Sequence, residues 1–138
     1  HLQSLQPMDG CEDILDYFAE QQIPMAVVSN KNGEILRKEI AHLGFDFYFT
    51  AAVGCFDTPQ DKPHPGPLFE ALRKSSLSPG LDIWYVGDNA IDYTCALEAG
   101  CYPIIIDANP QENKSYTLGH HTDHLKKILT LHQGLILS

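Results

Sequence analysis

The stretch Trp84-Tyr85-Val86-Gly87-Asp88-Asn89-Ala90-Ile91-Asp92 decides the fold. Its apolar first half predicts a buried strand over Asp82–Val86. Gly87 lets the backbone turn, and Asp88 stands just past the strand's carboxyl end. A helix carrying Ala96, Leu97 and Ala99 follows, with Gly100 as its stop. In an open α/β sheet the carboxyl ends of the strands line the ligand crevice. Asp88 and Asp92 therefore share a strand-to-helix corner, where a pair of carboxylates suits a hard cation such as Mg²⁺. The same residues also read as capping: Asp88 or Asn89 as N-cap, and Asp92 as a first-turn acid complementing the helix dipole.

Upstream, Pro24–Ser29 is a short apolar run that reads as a second buried strand, ending on Ser29-Asn30. A helix from Glu34 to Leu43 follows, with Ile35, Leu36, Ile40 and Leu43 on its core face and Gly44 at its end. A hydroxyl and backbone N–H groups at such a junction form an anion site, or else a polar loop capped by Ser29 or Asn30. An earlier helix is expected from Cys11 to Gln22, capped by Asp9. Phe45 to Val53 is aromatic and β-branched and contains a further strand.

Asp61-Lys62-Pro63-His64-Pro65-Gly66-Pro67 leads into a helix over Gly66–Lys74. Lys62 before a helix N-terminus opposes the usual dipole preference, which an anion shared with backbone N–H groups explains; the alternative is a solvated lysine. Downstream come a strand over Pro103–Ile106, a loop, and a last helix over Asp123–His132. His120, His121 and His124 lack a zinc-like pattern of partners and read as a polar loop entering that helix; His64 reads as a loop residue near the pocket.

With 138 residues the chain is expected to be a single domain over 1–138. A formal charge of −9 repels a polyphosphate backbone, so nucleic acid is not an expected partner, whereas a small anion can still be met by a local cation. No apolar run is long enough to span a membrane, and no signal peptide is visible. The cysteines form no C-x-x-C pair, and we expect them reduced and the setting cytoplasmic. Because the first residue is His1, we expect the chain to begin inside a longer protein or after a removed leader.

Val27-Val28-Ser29-Asn30, Lys62-Pro63-His64-Pro65 and Gly87-Asp88-Asn89-Ala90-Ile91-Asp92 stand in this order at the ends of alternating strands and helices. The series resembles the haloacid dehalogenase-like hydrolase superfamily, in its phosphoglycolate phosphatase-like branch, over about Pro7 to Ile106. The resemblance implies roles. Ser29 would hydrogen-bond the phosphoryl group beside the Asn30 backbone amide. Lys62 would steady the phosphoryl oxygens and the nucleophile, and Asp88 and Asp92 would hold Mg²⁺ directly or through water.

The family's first motif, Asp-x-Asp after an apolar strand, has no counterpart in this chain. Its first Asp is the covalent nucleophile and its second the general acid/base. Asp9-Gly10 follows no such strand, and Pro7 to Phe18 resembles the segment after the family's cap domain. The nucleophile's strand and the cap would thus lie upstream of His1.

The resulting expectation is an α/β, three-layer, Rossmann-like core with a mostly parallel sheet, the C-terminal part of such a hydrolase. By resemblance the intact protein is a Mg²⁺-dependent phosphatase of a small phosphorylated metabolite, working through an aspartyl-phosphate, and the chain alone is inactive. Alternatives are a phosphosugar mutase of the same fold or a non-catalytic phosphate-binding module; a dehalogenase has no use for a metal.

The resemblance also places the nucleophile's strand centrally, between those of Pro24–Ser29 and Asp82–Val86. Without it, unpaired backbone groups would face each other in the sheet. We therefore expect the two strands to close up, or a missing N-terminal segment to fill the slot, or self-association to supply a strand.

Overall fold

The structure, a computed structural model, describes residues 11–105 and 134–137. Its elements are helix α1 (Cys11–Glu20), strand β1 (Met25–Asn32), α2 (Gly33–His42), β2 (Ala51–Cys55), α3 (Gly66–Lys74), β3 (Ile83–Gly87), α4 (Ala90–Ala99), β4 (Tyr102–Ile105) and β5 (Gly134–Leu137). The five strands form one sheet in the order β2-β1-β5-β3-β4. Every pairing within it is parallel. The expected last helix, the three histidines of the 120–124 segment and the Asp9 cap lie outside the described residues.

The layers follow from the two-residue period of a strand. Along β3, Ile83 and Tyr85 face one core together with Ala26 and Val28 of β1, Leu68, Ala71 and Leu72 of α3, and Cys95, Ala96 and Ala99 of α4. Trp84 and Val86 face the other core, with Met25 and with Ile14, Leu15 and Phe18 of α1. A strand buried on both faces is the reason Ile83–Val86 reads as an unbroken apolar run.

Local signals explain the boundaries. Asn89 caps α4 by accepting from the Asp92 N–H at 3.1 Å, so the capping reading holds for Asn89. Gly100 ends that helix at φ 78°, in the left-handed region that glycine adopts without steric cost. Asn32 caps α2, accepting from the N–H groups of Glu34 and Ile35 at 2.9 and 3.2 Å; neither Ser29 nor Asn30 does so.

Two expected strands change most. The strand expected to end at Ser29 runs on to Asn32, because β1 re-pairs with β2 beyond an irregularity: Val28 faces Val53, and the next paired residues are Asn32 and Cys55. Ser29, Asn30 and Lys31 form this bulge. Within Phe45–Val53, Asp46–Tyr48 is a 3₁₀ turn, and the strand starts only at Ala51. Tertiary contacts decide this: Tyr48 packs into the α1-side core, and its hydroxyl bonds Asp16.

The central slot is a correction. It neither closes up nor takes a strand from elsewhere: β5 of this same chain fills it, pairing Met25–Val27 on one side and Ile83–Val86 on the other. Gly134-Leu135-Ile136-Leu137 is too short for its period to distinguish strand from helix. Burial on both sides is what selects the strand, because it satisfies the backbone groups of β1 and β3 that would otherwise each cost about 1–3 kcal/mol.

Candidate active site

The three motifs meet at the carboxyl end of the sheet. Neighbouring parallel strands lie roughly 4.8 Å apart, so the ends of β1 and β3 are separated by roughly 10 Å across β5. Lys62 bridges that distance. Its ammonium donates to the Val28 carbonyl of β1 at 3.2 Å and to Asp92 Oδ1 of α4 at 2.7 Å. It also lies over the Tyr85 ring, 5.7 Å from the centroid. The Lys62 side chain is 5% exposed and that of Asp92 1%, so the pair is desolvated and depends on its geometry.

Asp92 holds more than the lysine. Its Oδ1 also accepts from the Tyr85 hydroxyl at 3.3 Å, and its Oδ2 accepts from the Asp88 backbone N–H at 3.1 Å. The latter bond fixes the turn at which β3 becomes α4. Gly87 permits it: a Cβ there would fall 2.4 Å from the Asp92 carboxylate. Asp88 itself is exposed at the strand end, where its Oδ1 accepts from Asn89 Nδ2 at 3.2 Å.

Ser29 is half-buried, and its Oγ accepts from the Lys31 N–H at 3.1 Å. Lys31 turns away to α2, donating to the buried Glu39 at 2.9 Å. The Asn30 side chain reaches the Lys62 peptide: Nδ2 donates to the Lys62 carbonyl at 3.2 Å, and Oδ1 accepts from the Lys62 N–H at 3.1 Å. Lys62 therefore touches the residues on both sides of Ser29.

His64, read as a loop residue, is one. Its Nδ1 accepts from the Gly66 N–H at 2.9 Å at the start of α3. Cys95 lies beneath the same loop and donates weakly to the His64 carbonyl at 3.6 Å. Burial pushes its thiol up to about 11 against the opposing pull of Lys62, so it stays protonated and is not a nucleophile at neutral pH.

Mg²⁺ takes one or two carboxylates and fills its remaining positions with water and phosphate oxygens. Asp88 fits as such a carboxylate. Asp92 instead spends both oxygens on protein groups, at the distances given above. Among the described residues no group of three or more His, Cys, Asp or Glu side chains could hold a metal.

Three features were not foreseen. Tyr85 looked like an ordinary core residue; the only clue was the hydroxyl on a buried aromatic, which usually finds a partner. The Asn30 side chain and the Val28 carbonyl act across more than thirty residues of sequence, beyond any local pattern.

A model of the haloacid dehalogenase-like hydrolase family matches residues 1–106. The chain is 38% identical over 90 residues to a phosphoglycolate phosphatase of Pectobacterium atrosepticum, a match covering 65% of this chain and 38% of that relative. It is 32% identical over 90 residues to a phosphoglycolate phosphatase of Haemophilus influenzae, covering 65% of this chain and 40% of the relative. The matches thus span about two-fifths of the length of these curated relatives. A solved hydrolase of the same superfamily from Ehrlichia chaffeensis superposes with a TM-score of 0.79 at 34% identity, over 91% of this chain and 62% of that one. All three strand-end motifs fall inside the matched region, and the chain belongs to the haloacid dehalogenase-like hydrolase family.

Proposed function

We propose that this chain supplies the phosphate-holding and metal-holding part of a Mg²⁺-dependent phosphomonoester hydrolase acting on a small phosphorylated metabolite. The observation that carries this reading is the bridge made by Lys62, which ties the Ser29 bulge to the corner bearing Asp88. Phosphoryl transfer needs charge neutralisation and in-line positioning above all. Ser29, the Asn30 backbone amide and Lys62 hold the phosphoryl oxygens. Asp88 holds the Mg²⁺, which neutralises phosphoryl charge when bound. Asp92 works behind both, orienting the Lys62 ammonium and the Asp88 amide. The relatives named phosphoglycolate phosphatase support this substrate class. Free Cys55, Cys95 and Cys101 agree with a reducing, cytoplasmic setting.

One observation favours a second reading, a phosphate-binding module without turnover. The described residues of the central strand β5, Gly134–Leu137, include no carboxylate.

The test is a titration of inorganic phosphate and Mg²⁺ into the chain, beside a p-nitrophenyl phosphate assay. Phosphate binding should be abolished by Lys62→Ala, and Mg²⁺ binding weakened by Asp88→Asn, with no turnover by the chain itself. Phosphate affinity unchanged in Lys62→Ala would remove the proposed site. Turnover by the chain that Asp88→Asn abolishes would show that it carries a nucleophile this reading lacks.

A further inference from the structure

Lys62 is held at two places. Its ammonium is fixed by Val28, Asp92 and Tyr85, and its peptide by the side chain of Asn30. The second attachment is unusual in form. An asparagine carboxamide carries a donor and an acceptor in one plane, as a peptide does, and here it exchanges both bonds with the peptide of Lys62. The pairing imitates one rung of a sheet ladder between residues 32 apart in sequence.

Several other bonds of this loop are local. Cys55 Sγ donates to Asp61 at 3.3 Å, the His64 N–H to the Asp61 carbonyl at 3.0 Å, and Thr58 Oγ1 to the Gln60 carbonyl at 2.8 Å. These bonds shape the loop, whereas the Asn30 rung ties the Lys62 peptide to the β1 bulge. From the two-bond exchange we infer that the Asn30 side chain is a positioning residue. It sets where the Lys62 backbone sits relative to Ser29, and hence where the ammonium meets an anion. The inference rests on the phosphate reading of the site and deepens it: of Asn30, only the backbone amide is assigned to phosphate, and the carboxamide is spent on Lys62.

Asn30→Ala separates these roles, because it keeps the backbone N–H and removes the carboxamide. Asn30 is exposed, so the substitution opens no core cavity. Three measurements on the 138-residue chain decide the matter. They are calorimetric titration with inorganic phosphate, amide hydrogen exchange at Lys62, and exchange at the β3 core amides as a control. In Asn30→Ala the phosphate Kd should rise about tenfold and the Lys62 amide should exchange about tenfold faster, while the β3 amides keep their rates. Asn30→Asp retains an acceptor for the Lys62 N–H and should restore its slow exchange.

Unchanged Kd and unchanged Lys62 exchange in Asn30→Ala would overturn the inference. So would a raised Kd with Lys62 exchange unchanged, since the carboxamide would then be touching the anion itself. If the wild-type chain binds no phosphate yet Asn30→Ala still speeds Lys62 exchange, the tether stands and the phosphate reading falls.

Discussion

Replacing Ile136 by alanine tests whether β5 fills the middle of the sheet in solution. Ile136 is 0% exposed and lies between Ala26 of β1 and Tyr85 of β3. It belongs to the core that also contains Leu68 and Leu72 of α3. The substitution removes three carbons, worth about 2.4 kcal/mol at roughly 0.8 kcal/mol each. The cavity left against neighbours held by pairing on both sides brings the expected cost to about 3–4 kcal/mol. Such a loss is a large fraction of a small domain's stability, about 5–15 kcal/mol. Urea unfolding followed by far-ultraviolet circular dichroism measures it. With a slope of about 1–3 kcal/mol per molar urea, the midpoint should fall by roughly 1–4 M. Leu137→Ala, at a half-buried position near the strand end, should cost clearly less. A loss below about 1 kcal/mol for Ile136→Ala would mean that the slot is filled in some other way. The spacing of Ser29 from Asp88 would then need a different explanation.

Three further outcomes are expected. Lys62→Met should destabilise by about 3–5 kcal/mol because it strands the Asp92 carboxylate in the core, and Lys62→Met/Asp92→Asn should recover part of that loss; equal stability of the two variants in urea would contradict the buried pair. The Arg37 guanidinium beside Asp57, followed by the Gly54 N–H, holds that carboxyl below its ordinary 3.8 against burial. Its contribution is therefore present above about pH 4 and lost as pH falls through the lowered value, so Asp57→Asn should flatten the acid limb of stability against pH, and an unaltered limb would count against the pair. The Cys95 thiol, raised by burial from 9.0 to about 11, makes folding progressively less favourable as pH rises from about 9 toward 11. Peptide mapping after iodoacetamide at pH 8 should find it unmodified in the folded chain and modified in urea, and rapid native labelling would refute its burial.

The sequence by itself determined what a few neighbouring residues can encode. Pro65 and Pro67 around Gly66 start α3 where it was expected, and Gly100 stops α4 through a backbone angle that a side chain would oppose. The apolar run Ile83–Val86 declares a strand with both faces buried, and the order of the three motifs declares the family. The residues of the candidate site were legible as types at strand ends, but their mutual bonds were not. Ser29 lies in a bulge because β1 re-pairs with β2 beyond it. Asp92, read as holding a metal directly or through water, also meets Lys62 and the Asp88 amide once the sheet brings α4 under the lysine's loop. Nor does Gly134–Leu137 announce itself as a central strand, since four residues carry no usable period and only the unpaired edges of β1 and β3 select that conformation. Capping, turns and periodicity act within about a helical turn and can be read directly. Which carboxylate meets which cation across thirty residues is decided by strand order and register, which exist only in the folded chain.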